Sequence, residues 1–470
     1  MSSLFSALQT ASNALRVFEK SIGVVQNNTV NASSPGYTTQ QLQISALPFD
    51  PAAGWCGGIT SSRVVSARNE FAESTVRNEF MQEGYASARA TSLKRIEGTF
   101  DITGDSSLTS SLDNLFTTFL SWSNQPNDST QRDSVLRAAK QFTESMNQTA
   151  SDLEQTAADI ENDLKTQVET VNRLAAHIRD INASTMQNPS SSLSNEADMY
   201  ATLEELSGVV NFTTFIASDG STTVLIDGQV PLVVGNKSFD IEMSMTSSGA
   251  NHAPGEAQIL DYTGQPITGH MKSGTISGLL SVRNGELASL LGNSSQIGSL
   301  NTLANTVATS INTLLESGKV DIDDATLTGV ALFSTAGDAT SARSLQVILT
   351  DSSKLAAVDP GPPPVANGIA VKVSKLASDS TVMPGGLSFS AYYGQLASEI
   401  GSALNTATDT ETRQIQLVSQ ARSIRGDLSG VSLDEEAAKL MELQRSYEAN
   451  SRIFTVANEL MDTLLNLIRV

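Results

Sequence analysis

The sequence is poor in the residues from which enclosed reactive sites are built. Its single cysteine, Cys56, leaves no partner for an intrachain disulfide. Its three histidines, His177, His252 and His270, lie far apart, and none falls in a metal-ligand spacing such as H-E-x-x-H. Aromatic residues make up only 5% of the chain, which suits long helices and polar β-domains better than a deep aromatic pocket. Bases are scarce too. Lys and Arg total 29 against 50 Asp and Glu, a formal charge of −21 that repels phosphate backbones and anionic lipid. Nucleic acid is therefore excluded as a partner. So is membrane insertion, because no apolar run approaches the ~18 residues that a spanning helix needs. No G-x-S-x-G elbow, phosphate-binding loop or dinucleotide fingerprint is present. The run from Asp321 has Thr326 where a calcium loop needs glycine and Leu332 where it needs a bidentate acid, so it reads as a turn after a helix. No catalytic, metal or cofactor-binding residue is nominated, and the chain reads as a non-enzyme without cofactor.

What is present is periodicity, strongest at the two ends. Leu4, Leu8, Ala11, Leu15, Phe18, Ile22 and Val25 recur at spacings of four and three, a coiled-coil stripe. Ala437, Leu440, Tyr447, Phe454, Met461, Leu465 and Ile468 form a second stripe, opened by Ser432 and Glu435 at capping-box spacing. Chain ends usually fray, because a few residues bury too little surface to offset their lost entropy. Heptads at both extremes therefore imply that the ends pair with each other. Leu443, Ile453, Val456, Leu460, Leu464 and Leu467 lie beside the seam of the last helix, more apolar width than one partner covers, which implies an assembly surface. The first twenty residues lack a basic n-region and a continuous apolar core, so a Sec signal is not expected.

Between the ends, helices are predicted over 70–100, from Ser110 through Trp122, from about Ser129 to Ala183, and again from Asn284, where Leu287, Leu290, Ile297, Leu300, Ala304, Val307, Ile311 and Leu314 share one stripe. A last long helix is predicted from Tyr392 towards Leu428. The stretch from Asn211 to Val234 alternates Val, Ile, Phe and Thr around Asp219-Gly220 and Asp227-Gly228, the pattern of hairpins. These readings give an α+β multidomain fold with a terminal α-helical coiled coil, a long-helix bundle domain and inserted β-rich domains. The expected parts are 1–30 with 431–470 as the coiled coil, and 31–190 with 284–317 and 389–430 as a helical bundle domain carrying a β-like arm. Residues 191–283 are expected as a β-rich domain, and 318–388 as a small β-rich or irregular excursion. On the residues alone three function classes stay open: a helical assembly subunit, a surface adhesin using the β-rich part, and a cell-wall hydrolase, for which no landmark nominates catalytic groups.

The segment NNTVNASSPGYTTQQ, residues 27–41, resembles the N-terminal signature of the rod, hook and hook-associated family of axial flagellar proteins. Asn31 tolerates the end of a helix, Pro35 forbids its continuation, Gly36 supplies a turn geometry that other residues resist, and Tyr37 begins the arm. The stretch SSLTSSLDNLFTTFLSWSNQPNDSTQRDSVLRAAKQF is similar to the hook-associated members of that family, as are GSLNTLANTVATSINTLLESG and GVSLDEEAAKLMELQRSYEANSRIFTVANELMDTLLNL. Thr38 and Thr39 depart from it, standing where a basic residue is common. The resemblance implies a structural subunit that assembles at the hook–filament junction and connects hook to filament, located outside the cell. It further implies export by the flagellar type III apparatus without a cleaved signal peptide. The partners it implies are further copies of the chain in a helical ring, the hook protein, the next hook-associated protein, and an export chaperone at the C-terminal helix. Leu4, Leu8, Leu15, Phe18, Ile22, Asn31, Pro35, Gly36, Tyr37, Leu440, Tyr447, Phe454, Met461, Leu465 and Ile468 are the residues expected to carry assembly.

Overall fold

The computed structural model describes residues 2–50, 55–100, 107–188, 192–249, 251–324 and 326–468. The chain opens with helix α1 (Ser2–Asn31) and an antiparallel arm, β1 (Gln40–Ala46) paired with β4 (Ile59–Ser66), extended at its far end by β2 (Phe49–Asp50) and β3 (Trp55–Cys56). Four helices follow: α2 (Glu70–Glu97), α3 (Leu108–Asn124), α4 (Ser129–Gln187) and α5 (Ser192–Val209). Their starts are set by side-chain caps, with Asn69, Ser107 and Asp128 each accepting a backbone N–H at the head of α2, α3 and α4.

Helix α4 is the spine. Its 59 residues span about 90 Å at 1.5 Å per residue. Val135, Phe142, Met146, Leu153, Ile160, Leu164, Val171, Leu174 and Ile178 are buried along one side of it. One continuous apolar core runs from Met81 to Ala407 and draws on all the middle elements, so the β-rich part and the excursion share a core with the helices.

The β structure is small. A four-stranded antiparallel sheet runs β5 (Phe212–Ile216), β6 (Thr222–Ile226), β7 (Val230–Val234), β8 (Lys237–Ser238), and β9 (Glu242–Met245) pairs with β10 (Ala257–Leu260). Beyond it come α6 (Thr275–Ser281), a π-helical turn at Val282–Glu286, α7 (Leu287–Leu291) and α8 (Ser299–Ser317). The excursion holds only β11 (Phe333–Ser334) paired with β12 (Gln346–Val347), and the short helices α9 (Ser341–Ser344) and α10 (Gly368–Lys375). The chain closes with α11 (Phe389–Ser429) and α12 (Leu433–Ile468).

Strands this short leave backbone groups at their ends and edges without strand partners, and helical asparagines take up several of them. Asn172 and Asn182 on α4, Asn284 in the π-helical turn and Asn312 on α8 each accept a backbone N–H on Oδ1 and donate Nδ2 to a backbone carbonyl. They grip Ile241, Thr222, Ala257 and Phe333 respectively, at distances of 2.8–3.0 Å. A primary amide has the donor and acceptor of a peptide group side by side, so it serves as one more rung of a ladder.

Three expectations are corrected. Residues 191–283 are not β-rich throughout, because Ser192–Val209 is helical. Met199, Leu203 and Leu206 fall at helical spacing and are buried, whereas the Ser- and Asn-rich lead-in gave the segment the look of a loop. The helix expected over 284–317 is not continuous. Gly292 (φ +99°) and Gly298 (φ +86°) divide α7 from α8, and the stripe survives because both pieces lie on the same core. The excursion at 318–388 also contains α10, whose Ile369, Ala370 and Val373 face inward.

Asn182 is fully buried and holds Thr222 on both sides while also donating to the Gly235 carbonyl. Asn182→Ala is expected to leave those groups without partners and to cost about 2–3 kcal/mol. Urea unfolding of the purified chain measures this, and a change within error of zero would remove the structural role assigned to the clasp.

Candidate functional site: the terminal helices and their joint

Among the described residues no buried side chain of α1 or α12 belongs to the main core; the two helices pack on each other, and α1 packs on the arm. A backbone bond from Thr39 N–H to the Ser429 carbonyl and a side-chain bond from Thr39 Oγ1 to the Gly430 carbonyl place the exit of α1 beside the entrance of α12. Ser432 caps α12, accepting the Glu435 N–H at 3.4 Å.

Leu4, Leu8, Leu15, Phe18 and Ile22 on α1, and Leu440, Phe454 and Met461 on α12, are half-buried. Tyr447 is 39% exposed, and Ala437 is exposed. Leu465 and Ile468 lie within α12 but outside the residues whose side chains are described. The residues most completely covered in the pair were not singled out in full by the sequence. On α1 they are Ala11, Ala14, Val17, Ser21, Val25 and Asn28, and on α12 Glu436 and Ala457. Small side chains let the arm approach α1 closely. A Cβ on Gly58 would lie 2.9 Å from Thr10, so the far part of the arm rests on the middle of the helix. Seven-residue repeats of small and polar residues are the only trace this leaves in the sequence.

The outer side of α12 stays uncovered. Ile453, Val456, Leu460 and Leu464, at spacings of three and four, are exposed, as are Leu433 and Met441. On α11, Leu417, Ile424 and Leu428 are exposed as well. Completing the burial of four such half-covered side chains contributes on the order of 4 kcal/mol per helix.

The joint is the place where α1, the arm, α2, α5 and α11 meet. Asn31 ends α1, its Nδ2 donating to the Asn27 carbonyl, and Pro35 is exposed in the turn that follows. Gly36 has φ +69°, and a Cβ there would stand 2.2 Å from the Ala197 carbonyl oxygen of α5, so both conformation and space demand glycine. The Tyr37 hydroxyl donates to Asn28 Oδ1 at 2.8 Å and accepts from Asn27 Nδ2 at 3.1 Å. Asn28, fully buried, makes the same clasp seen in the core, donating to the Gln40 carbonyl and accepting the Gln40 N–H. Burial raises the Tyr37 phenol above its ordinary value. Asn27 lowers it in part, and the negative charge of Glu436 raises it again.

A buried ionic network holds the joint from the other side. Arg68 donates to the Gly36 carbonyl at 2.6 Å, to Glu73 at 2.5 Å and to Glu196 at 2.8 Å, and its guanidinium lies 3.8 Å from the centre of the Tyr200 ring. Arg425 on α11 bonds Glu73 at 3.2 Å and also bonds Glu204, which Arg422 reaches at 2.8 Å. The Tyr200 hydroxyl bonds Glu70. Burial lowers the buried Arg77 guanidinium from its ordinary value, partly offset by Tyr200, Glu70 and Glu73. At Glu204 burial pushes the carboxyl up, but the bonds and charges of Arg422 and Arg425 outweigh it and hold it below its usual value.

Among the described residues no group of His, Cys, Asp and Glu could hold a metal, and no helix is long and apolar enough to cross a membrane. Each histidine pairs with an aspartate: His177 with Asp198, His252 with Asp338, and His270 with Asp227. His252 and Asp338 share an open cleft with Ser248. The His252 side chain is 74% exposed, however, and no hydrogen bond among the described residues joins it to Ser248, so the three make no relay.

The fold is thus that of an α-helical protein whose two terminal helices pair with each other apart from the main core and leave an apolar outer line on α12. The model of the flagellar hook-associated protein FlgK helical domain matches residues 93–333, and that of the flagellar basal body rod FlgEFG protein C-terminal region matches residues 427–467. The chain belongs to the flagellar hook-associated protein FlgK family and is a structural protein of the bacterial flagellum. It is 25% identical to the flagellar hook-associated protein 1 of Bacillus subtilis (strain 168) over 99% of both chains. To the flagellar hook-associated protein 1 of Escherichia coli (strain K12) it is 33% identical over 126 residues, 26% of this chain and 23% of that one. The fold is similar to that of the flagellar hook junction protein FlgK from Burkholderia pseudomallei, with a TM-score of 0.65 and 13% identity over 74% of this chain and 99% of that one.

Two outcomes are expected at the joint. Gly36→Val should destabilise the contact of the turn with α5 by more than about 2 kcal/mol, from positive φ and overlap together. Faster amide exchange in residues 192–209 reports it, and wild-type exchange would remove the argument for glycine. For Glu204, a folded value below the unfolded one means that its contribution is present at neutral pH and is lost as pH falls through the carboxylate range. Glu204→Gln should lower stability at pH 7 by about 2 kcal/mol and flatten the acid limb of the stability curve, read by urea unfolding from pH 7 to pH 3. An unchanged acid limb would show that the Arg422 and Arg425 bonds contribute nothing.

Proposed function

We propose that the chain assembles at the hook–filament junction of the flagellum and connects hook to filament, with copies arranged in a ring about the flagellar axis through α1 and α12. The observation that supports this best is the uncovered line Ile453, Val456, Leu460 and Leu464 on a helix that shares nothing with the main core. A helix held to its own chain along one seam and apolar on the next is suited to contact with a neighbouring copy. In this reading the ring contacts hook protein on one side and the next hook-associated protein on the other. The chain reaches its place through the flagellar type III route, without a cleaved signal, and an export chaperone holds the apolar C-terminal helix beforehand. The role requires no turnover, and a hydrolytic activity abolished by one substitution would contradict it.

Deletion of residues 441–470 tests the assignment of the ends. The main core reaches no further than Ala407, so the shortened protein should stay soluble and keep the unfolding transition of its middle part. In a strain lacking the native gene it should fail to hold filaments, and flagellin should accumulate in the medium, whereas the full chain restores them. Filament retention by the shortened protein would sink the reading. Amide exchange offers a second check: α1 and α12 should exchange faster than α4 in dilute monomer and slow down in isolated hook–filament particles.

A further inference from the structure

A ring of more than two copies cannot be built from one surface meeting itself, because such a contact closes at two. Copies that join through their ends must each present two different surfaces, one to either neighbour. The outer line of α12 is one of them. The far half of the arm has the character of the other. Residues 43–49 are exposed without a break, and Ile44, Leu47 and Phe49 are large apolar side chains among them, Phe49 73% exposed. A two-stranded sheet is marginal by itself in water, and this one rests on α1 while leaving an apolar run uncovered.

The two surfaces belong to different sides of α1, which packs on both the arm and α12. The arm meets α1 at Thr10, through Gly58, and at Asn28, through Gln40. Those two positions are separated by about five full helical turns and so share a face. The heptad stripe Leu4, Leu8, Leu15 and Ile22 lies about a third of a turn further round. Across this end of the subunit the order is therefore arm, α1, α12, with an apolar surface open at either side. The open surfaces match in extent: Ile44 to Phe49 in extended chain and Ile453 to Leu464 in a helix each measure about 17 Å. They also match in charge. Residues 1–66 hold three bases and two acids, a formal +1, whereas 433–470 hold four bases and seven acids, a formal −3. Two α12 helices face to face would set −3 against −3, while α12 on the arm sets −3 against +1, with Arg63 exposed on the arm and Glu459 and Asp462 exposed beside the line.

We propose that the outer line of α12 in one copy, Ile453, Val456, Leu460 and Leu464, docks on the far half of the arm of the next copy, at Ile44, Leu47 and Phe49. This contact rests on the assembly reading above and names its two faces. Counted from the joint, the apolar run of the arm is centred about 20 Å along the helix pair and the α12 line about 40 Å. Neighbouring copies are therefore displaced along their helices by about 20 Å, as in a helical ring and not a level one.

The test is oxidative crosslinking in hook–filament particles isolated from a strain that lacks the native gene and carries the chain with Cys56→Ser, Ile44→Cys and Leu460→Cys. Successive copies should join head to tail into a ladder of multiples of the chain, while Ile44→Cys or Leu460→Cys alone stays monomeric. Met441→Cys in place of Leu460→Cys, which would meet Ile44→Cys if copies stood level, should give no ladder. Leu47→Cys with Val456→Cys serves as a second pair should the first impair filament retention. Leu460→Glu should lower retention about tenfold, the weight of one leucine lost from a buried contact. Its purified protein should be as stable as wild type, because Leu460 is exposed in the single chain. A dimer from Leu460→Cys alone would show α12 meeting α12 and overturn the docking. A ladder missing from particles that contain the chain and keep their filaments would leave hook protein or the next hook-associated protein as the cover of the arm, and also overturns it. So would a ladder with Met441→Cys, or undiminished retention by Leu460→Glu. If the wild-type chain is itself absent from the particles, the assembly reading falls and the docking with it.

Discussion

The interaction on which this structure depends most is the grip of a side-chain amide on a backbone. Strands of two to five residues cannot form sheets that stand by themselves, and irregular segments such as 318–388 have many peptide groups to satisfy. Asparagines projecting from rigid helices supply the missing partners, so the β structure hangs from α4, α8 and the π-helical turn like sections bolted to a frame. Asn28 repeats the device at the chain end, where it fixes the arm to α1. Arm and helix thereby form one piece, which the chain joins to the rest through residues 67–69 before α2.

Apolar burial and ionic pairing divide the length of the molecule between them. The middle is an ordinary apolar core around α4. Towards the joint the main core ends, and the first half of α2 and the last half of α11, where Ala72, Val76, Val418 and Ala421 are buried, are tied by Arg68, Glu73, Glu204 and Arg425. Buried ion pairs add little net stability compared with apolar packing of the same volume, but they tolerate few alternative geometries. Such a network favours one arrangement of α2, α5 and α11 over its neighbours.

Much of this was legible in the sequence, and the exceptions share a physical cause. The long helices α2, α3, α4 and α11 lie close to the ranges expected for them, and the Pro-Gly-Tyr turn follows from residue chemistry. Helix α5 was hidden because Ser192 to Glu196 have the composition of a loop while the apolar face lies further on. The break between α7 and α8 was hidden because Gly292 and Gly298 interrupt the backbone without interrupting the register. The ionic network was beyond reach, since Arg68 and Glu196 are 128 residues apart and Arg425 and Glu73 are 352 apart. The asparagine grips were equally silent: an Asn on a polar helix face looks the same whether it faces water or a strand. On α1 the large apolar residues drew attention, while the closest contacts are made by Ala14, Val17, Ser21 and Asn28 beside them.

The bond between Thr39 and Gly430 joins residues 391 apart. Closing a loop of that length in a flexible chain would cost about 5 kcal/mol in entropy alone, more than a single hydrogen bond returns. The helix pair can therefore form only late, after the middle of the chain has folded and carried the start of α2 and the end of α11 to the same place. Until then both apolar ends stay open along the whole course of folding. The order of events is thus written into the connectivity: the body of the chain matures first, and the terminal helix pair is completed last.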